Sequence, residues 1–181
     1  MRQLLNGLSP FHRSSSSRYK RSSRPLRIRW VLPNQLAVGR CPQPGEDRLL
    51  VSAGIQSILT LCNESEAAIP NEMYQRFHVI RHPLPDSHQS AALTQQGVLT
   101  ALNIIHSNID HHRPIYVHCL AGMERSPTIC IAYLCLFKGY GVWESLNWLK
   151  QIHPRTSPNE VQLSVVQSLI NQQTQSMPRI Q

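Results

Sequence analysis

The sequence predicts an α/β domain with one mostly parallel sheet flanked by helices. Three observations predict it. Apolar runs of strand length alternate with longer stretches that repeat every 3.6 residues. The junctions carry Pro, Gly or a helix-capping residue where a chain must turn. The 181 residues are 41% hydrophobic, enough for one domain whose core needs neither disulfide nor metal.

The elements follow in order. Trp30 to Gly39 holds two apolar runs broken by Pro33-Asn34 and reads as a hairpin. Glu46 to Ala53 reads as a short helix closed by Gly54, a good residue just past a helix end. Ile55 to Leu61 is an apolar strand, and Arg76 to His82 alternates enough to be another. Thr94 is placed to cap a helix whose buried stripe is Val98, Leu99, Leu102 and Ile105. Pro114 to Val117 is a short buried strand that runs into His118-Cys119. Residues 127–138 are apolar on all sides, which predicts a central helix, ended by Gly139. Val142, Leu146, Leu149 and Ile152 form an amphipathic helix stopped by Pro154. Ser157-Pro158-Asn159-Glu160 has capping-box spacing with Pro in the first turn, ahead of Leu163, Val166, Leu169 and Ile170.

Net charge is +8, and it is not evenly spread. Arg2, Arg13, Arg18, Lys20, Arg21, Arg24, Arg27 and Arg29 carry all of it, with no acid among residues 1–29. Residues 30–181 are neutral. The chain therefore divides into a basic Ser/Arg-rich tail (1–29), a folded body (30–173) and a short C-terminal tail (174–181). The first segment lacks the apolar surface to offset ordering entropy and is expected to be disordered. It reads as a solvated extension, as an organelle transit peptide, or as an arm for anionic surfaces. Its charge is expected to concern addressing or tethering and not catalysis. Aromatic residues are sparse there, so specific nucleic-acid binding is not expected.

Five cysteines, without a C-x-x-C pair or an export signal, point to a reducing compartment, the cytoplasm unless the tail directs the chain to an organelle. Cys130 and Cys135 read as packing groups in the apolar helix, as do Trp143 and Trp148. His111-His112 reads as a polar loop, and no metal site or cofactor is expected. No stretch approaches the roughly 18 uncharged apolar residues of a membrane span.

The chemistry concentrates in His118-Cys119-Leu120-Ala121-Gly122-Met123-Glu124-Arg125-Ser126-Pro127, between a strand and the central helix. A helix N-terminus presents unpaired N–H groups, and successive loop amides can converge on an anion. Gly122 permits a tight turn, and Arg125 adds a planar fork suited to phosphate oxygens. A thiol at the mouth of such a cradle ionises readily; comparable sites lower cysteine from ~8.5 to ~3.5–7.5. The segment is a nucleophile aimed at a tetrahedral oxyanion.

His118-Cys119, five intervening residues and Arg125-Ser126 resemble the signature of cysteine-dependent phosphatases. The wider match resembles the dual-specificity branch: Trp30, Val38-Gly39-Arg40, Gly54-Ile55, Pro85-Asp86 and Ser157-Pro158-Asn159. The resemblance implies that Cys119 attacks phosphorus to form a cysteinyl-phosphate. Arg125 and the amides from Leu120, Ala121, Gly122, Met123 and Glu124 hold the oxygens, and Ser126 stabilises the leaving thiolate. Upstream carboxylates available as general acid are Glu64, Glu66, Glu72, Asp86 and Asp110. Asp86, in the stiff His82-Pro83-Leu84-Pro85-Asp86-Ser87 loop, matches the family's acid. His118 and Asn159 are expected to support the loop, and Cys62 to be either a core residue or a resolving thiol for Cys119.

No lysine stands in the loop, and Glu124 sits beside Arg125. Phosphorylated proteins, tyrosine and then serine or threonine, are therefore the expected substrates. A catalytically weak phosphobinding scaffold and a phosphoinositide or phosphoglucan phosphatase are the alternatives. Low-molecular-weight tyrosine phosphatases also carry Arg-Ser-Pro, but at the extreme N-terminus with the acid downstream.

Overall fold

The computed structural model describes residues 24–87 and 92–176. Five strands form one sheet: β1 (Arg29–Leu32), β2 (Leu36–Arg40), β3 (Ser57–Thr60), β4 (His78–Arg81) and β5 (Ile115–Cys119). Their spatial order is β1-β2-β5-β3-β4; β1 pairs antiparallel with β2, and the other three pairings are parallel. The mostly parallel sheet expected from the sequence is present. Strands β2, β3 and β5 are buried at every position, as a sheet covered on both faces requires, and the edge strands β1 and β4 are half-exposed.

Among the described residues six helices complete the fold: α1 (Asp47–Ser52), α2 (Asn71–Arg76), α3 (Gln95–Asp110), α4 (Arg125–Lys138), α5 (Val142–Ile152) and α6 (Glu160–Ser176). The central position expected for the apolar helix is that of α4. It is buried without a break from Arg125 to Cys135 and packs on β2, β5, α3, α5 and α6. Gly139 ends it in the left-handed region at φ 75°. The Thr94 cap is also in place, its hydroxyl accepting from the Gly97 amide at 3.1 Å. Helix α5 lies along β1, where the Trp148 indole donates to the Val31 carbonyl at 3.1 Å.

Four expectations are corrected. The strand expected over Arg76–His82 starts at His78, because Arg76 closes α2. That six-residue helix buries Met73 alone, too little for a helical repeat to show in the sequence. The α6 cap sits two residues later than the Ser157-Pro158 reading. Asn159 Oδ1 accepts from the Gln162 amide at 2.8 Å, and Gln162 Oε1 accepts from the Asn159 amide at 3.0 Å. The capping pair is thus Asn159 and Gln162, with Pro158 ahead of the helix. At the other end α6 runs to Ser176, past the expected limit of 173.

The fourth correction concerns the tail. Residues 1–23 lie outside the described residues, but residues 24–29, which the sequence assigned to a disordered segment, pack against the body. Leu26 is buried, and its amide donates to Glu46 Oε1 at 3.1 Å. Glu46 also takes the Gln43 amide at 2.7 Å and both terminal nitrogens of Arg40, and Arg40 in turn donates to the Arg24 carbonyl at 2.7 Å. One half-buried carboxylate thus ties the segment to the body. Hydrogen bonding to Arg40 and to backbone amides outweighs the burial penalty and holds Glu46 below the usual carboxylate range.

Candidate active site

Cys119 is the last residue of β5, at the carboxyl edge of the sheet, where ligands of parallel sheets bind. Cys41 follows the end of β2 and Cys62 lies just beyond β3, so three cysteines share this edge. All three are buried and none is in a disulfide. Burial pushes Cys41 up to about 12 and raises Cys62 further.

The chain from Leu120 to Glu124 is pinned by its carbonyl groups. Leu120 O accepts from the Cys41 amide at 3.2 Å and Met123 O from the Ser157 amide at 2.8 Å. Gly122 O accepts from His153 Nε2 at 2.6 Å. In a trans peptide the following N–H points opposite to the carbonyl. The amides of Ala121, Met123 and Glu124 are therefore turned away from these anchors, toward the inside of the loop. Such a ring of N–H groups is an anion cradle.

Gly122 is required twice over. Its φ is +70°, and a Cβ there would stand 2.5–2.7 Å from the backbone of Gly39 and Arg40. The loop rests on β2 backbone to backbone. Beneath it, the buried Tyr116 hydroxyl donates to the Arg40 carbonyl at 2.7 Å.

The Ser126 hydroxyl lies 3.4 Å from Cys119 Sγ and can also reach the Gly39 carbonyl at 3.3 Å. His118 is fully buried; desolvation depresses it to about 3, so the ring is neutral. One ring nitrogen, Nδ1, lies 3.3 Å from the Cys119 carbonyl.

Arg125 begins α4 and is 2% exposed. Its guanidinium meets Asp86 at 2.8 Å and Glu66 at 2.8 and 3.2 Å, and donates to the Leu84 carbonyl at 3.1 Å. Burial opposes its charge, but the Glu66 hydrogen bond and nearby cysteines outweigh that and raise it above its ordinary value. The Asp86 loop is held in turn: the Leu84 amide donates to Leu61 O at 3.0 Å, and His82 Nε2 to Gly97 O at 2.8 Å.

Of the five upstream carboxylates, Asp86 and Glu66 reach the site. Glu72 takes the Gly45 amide and Asp110 pairs with His106, both elsewhere. Glu66 has both oxygens on Arg125 and a third contact from the Asn63 amide, which makes it a brace. The Asp86 side chain, 27% exposed, is the more accessible of the two carboxylates on Arg125. Glu124 does not take Arg125; its carbonyl accepts from Thr128 instead. Asn159 does not hold the loop directly. It reaches α4 through Gln162, which Thr128 contacts at 3.4 Å, while the loop itself is held by Ser157 and His153.

Sequence reasoning missed Glu66 as a brace, and also missed His153 and Ser157. None lies in a spacing that betrays it; they converge from separate loops.

Comparisons with known proteins show which family the chain resembles. The family model described as "Dual specificity phosphatase, catalytic domain" matches residues 43–173. Human dual specificity protein phosphatase 14 is 34% identical over 129 residues, covering 71% of this chain and 62% of that protein. The Arabidopsis thaliana phosphatidylglycerophosphate phosphatase PTPMT2 is 27% identical over 142 residues, covering 77% of this chain and 62% of that protein. The chain thus spans about 62% of the length of these curated relatives. The crystal structure of human tyrosine phosphatase-like serine/threonine/tyrosine-interacting protein superposes with a TM-score of 0.73 at 19% identity, over 81% of this chain and 97% of that one.

Proposed function

The chain belongs to the dual specificity phosphatase catalytic-domain family, and from that premise we propose that it hydrolyses phosphomonoesters through a cysteinyl-phosphate. The observation that carries the reading is the 2.8 Å contact between Asp86 and Arg125. It brings the upstream acid loop onto the loop that holds the nucleophile.

The chemistry follows from the residues. The phosphate enters the cradle of amides and takes up Arg125, whose plane Glu66 fixes. Cys119 Sγ forms a bond to phosphorus as the ester P–O bond breaks, and Asp86 passes its proton to the departing oxygen. In the second step water attacks phosphorus and gives a proton back to Asp86. The S–P bond breaks, and the Ser126 hydroxyl stabilises the departing thiolate. Amides and Arg125 stabilise the equatorial oxygens in both transition states.

Phosphorylated proteins are the leading substrate class, supported by the protein phosphatase 14 relative. A phosphorylated lipid or small molecule is the second reading, supported by the phosphatidylglycerophosphate phosphatase relative and by an arginine-lined cleft beside the loop. The scaffold alternative is the weaker reading, because the sequence retains Cys119, Arg125 and Asp86 together.

The test is hydrolysis of para-nitrophenyl phosphate with chelator present. The wild-type chain should turn over, and Cys119→Ser should fall to background. Equal rates in the two would overturn the reading. Rapid acid quench should trap one phosphoryl group on sulfur in the wild type only.

A further inference from the structure

The cleft beside the loop has a composition that the hydrolysis mechanism does not use. Arg24, Arg27 and Arg29 meet His153 and Arg155 around a cavity of about 430 Å³, and Ala121 of the signature loop lines it too. Among the described residues that line it there is no Asp or Glu. Arg40, also in its wall, is neutralised by Glu46. The cleft and the loop are joined mechanically, since the His153 ring donates to the Gly122 carbonyl at 2.6 Å. Arg29 and Arg155 act on that ring from their separate segments, adding to the burial that already keeps it neutral. Positive charge thus gathers on one spot beside the loop.

We propose that this cleft is a second anion subsite, which holds a phosphate other than the one cleaved, on a substrate whose two phosphates lie a few bonds apart. The proposal rests on the phosphatase reading and deepens its second substrate class, the phosphorylated lipid or small molecule. Arginine forks suit phosphate oxygens, monoester or diester. Ala121 stands only two residues beyond Cys119 and belongs to both sites, so the bridge between the phosphates is short. Phosphates on same-side residues of an extended peptide start from Cα atoms roughly 7 Å apart and then diverge along their side chains. A compact bisphosphate, free or as a phospholipid headgroup, fits better. The basic charge that the sequence assigned to addressing therefore reaches the reaction site through its last three arginines.

The test compares propyl phosphate with α,ω-alkanediol bisphosphates of three to six carbons, on the full chain. For at least one spacer, kcat/KM for the bisphosphate should exceed that for propyl phosphate by at least tenfold. In Arg27→Ala/Arg29→Ala that ratio should collapse toward one, and in Arg27→Lys/Arg29→Lys it should be largely kept. A ratio near one for every spacer, or a ratio unchanged in the alanine variant, overturns the proposal. Calorimetry on Cys119→Ser gives the same comparison without turnover. If the wild type cleaves neither ester yet Cys119→Ser prefers the bisphosphate, hydrolysis fails and the subsite stands. Turnover without preference has the reverse meaning. Vesicles carrying a phospholipid with a phosphorylated headgroup separate the two sources: faster cleavage there than of the free bisphosphate identifies the lipid, and slower cleavage the soluble compound. A selectivity found only with doubly phosphorylated peptides overturns the compact substrate.

Discussion

Asp86 and Glu66 both touch Arg125, yet they differ in what surrounds them, and that difference separates an acid from a brace. Asp86→Asn keeps the size but removes the proton. It should lower kcat by about 10²–10⁴-fold on alkyl phosphates and much less on para-nitrophenyl phosphate, whose leaving group needs little help. Equal losses on both substrates would assign the acid elsewhere. Gly122 makes a sharper structural demand. Gly122→Ala places a methyl 2.5–2.7 Å from the Gly39–Arg40 backbone at a positive φ. It should cost about 1–3 kcal/mol in urea unfolding and displace the loop enough to depress kcat/KM. At this scale the sequence was informative where residues are neighbours in the chain. Cys119, Gly122, Arg125 and Ser126 sit within one loop, and Asp86 is marked by its flanking proline. Glu66 reaches Arg125 from 59 residues away, and a single glutamate in a polar loop carries no periodic or spacing signal.

Helix boundaries were legible where a cap or an apolar repeat announced them. Thr94 and Gly139 fall where the sequence put them, and α4 has the all-round burial that its composition demanded. The sequence reading put the α6 cap at Ser157, whereas the structure puts it at Asn159, paired with Gln162 three residues on. Packing decides between them. The Ser157 amide is committed to Met123, so the loop takes that residue and leaves Asn159 to the helix. Asn159→Ala should therefore destabilise by about 1 kcal/mol and lower Tm by roughly 2–4 °C in a chain of this size. Ser157→Ala should leave Tm nearly unchanged, since its backbone amide, and not its hydroxyl, binds the loop. Thermal melts followed by circular dichroism at 222 nm decide between the two.

Across the whole molecule, buried histidine couples stability to acidity. Folded His118 titrates at about 3, against about 6.5 in an unfolded chain. Below the unfolded value the unfolded state gains a proton that the folded state refuses. Stability present above about pH 6.5 is thus lost as pH falls toward 3. Between about pH 7.5 and pH 5 this single ring should remove about 2 kcal/mol from the unfolding free energy. His118→Gln should flatten that slope in urea titrations at the two pH values, and an unchanged slope would exclude His118 as its source. Glu46 acts in the same direction lower down, through the clamp that holds residues 24–29. That clamp also explains why the folded boundary was misplaced. The sequence showed a run of arginines without acids, but the acid that takes this segment's backbone, at Leu26, lies beyond it at position 46. The last consequence belongs to the sheet margin. Strand β1 is an outer strand, and a row of open carbonyls there is a template on which another chain can extend the ladder. The Trp148 indole occupies the Val31 acceptor, so this margin is blunted by a side chain, and the protein is guarded there against edge-to-edge polymerisation.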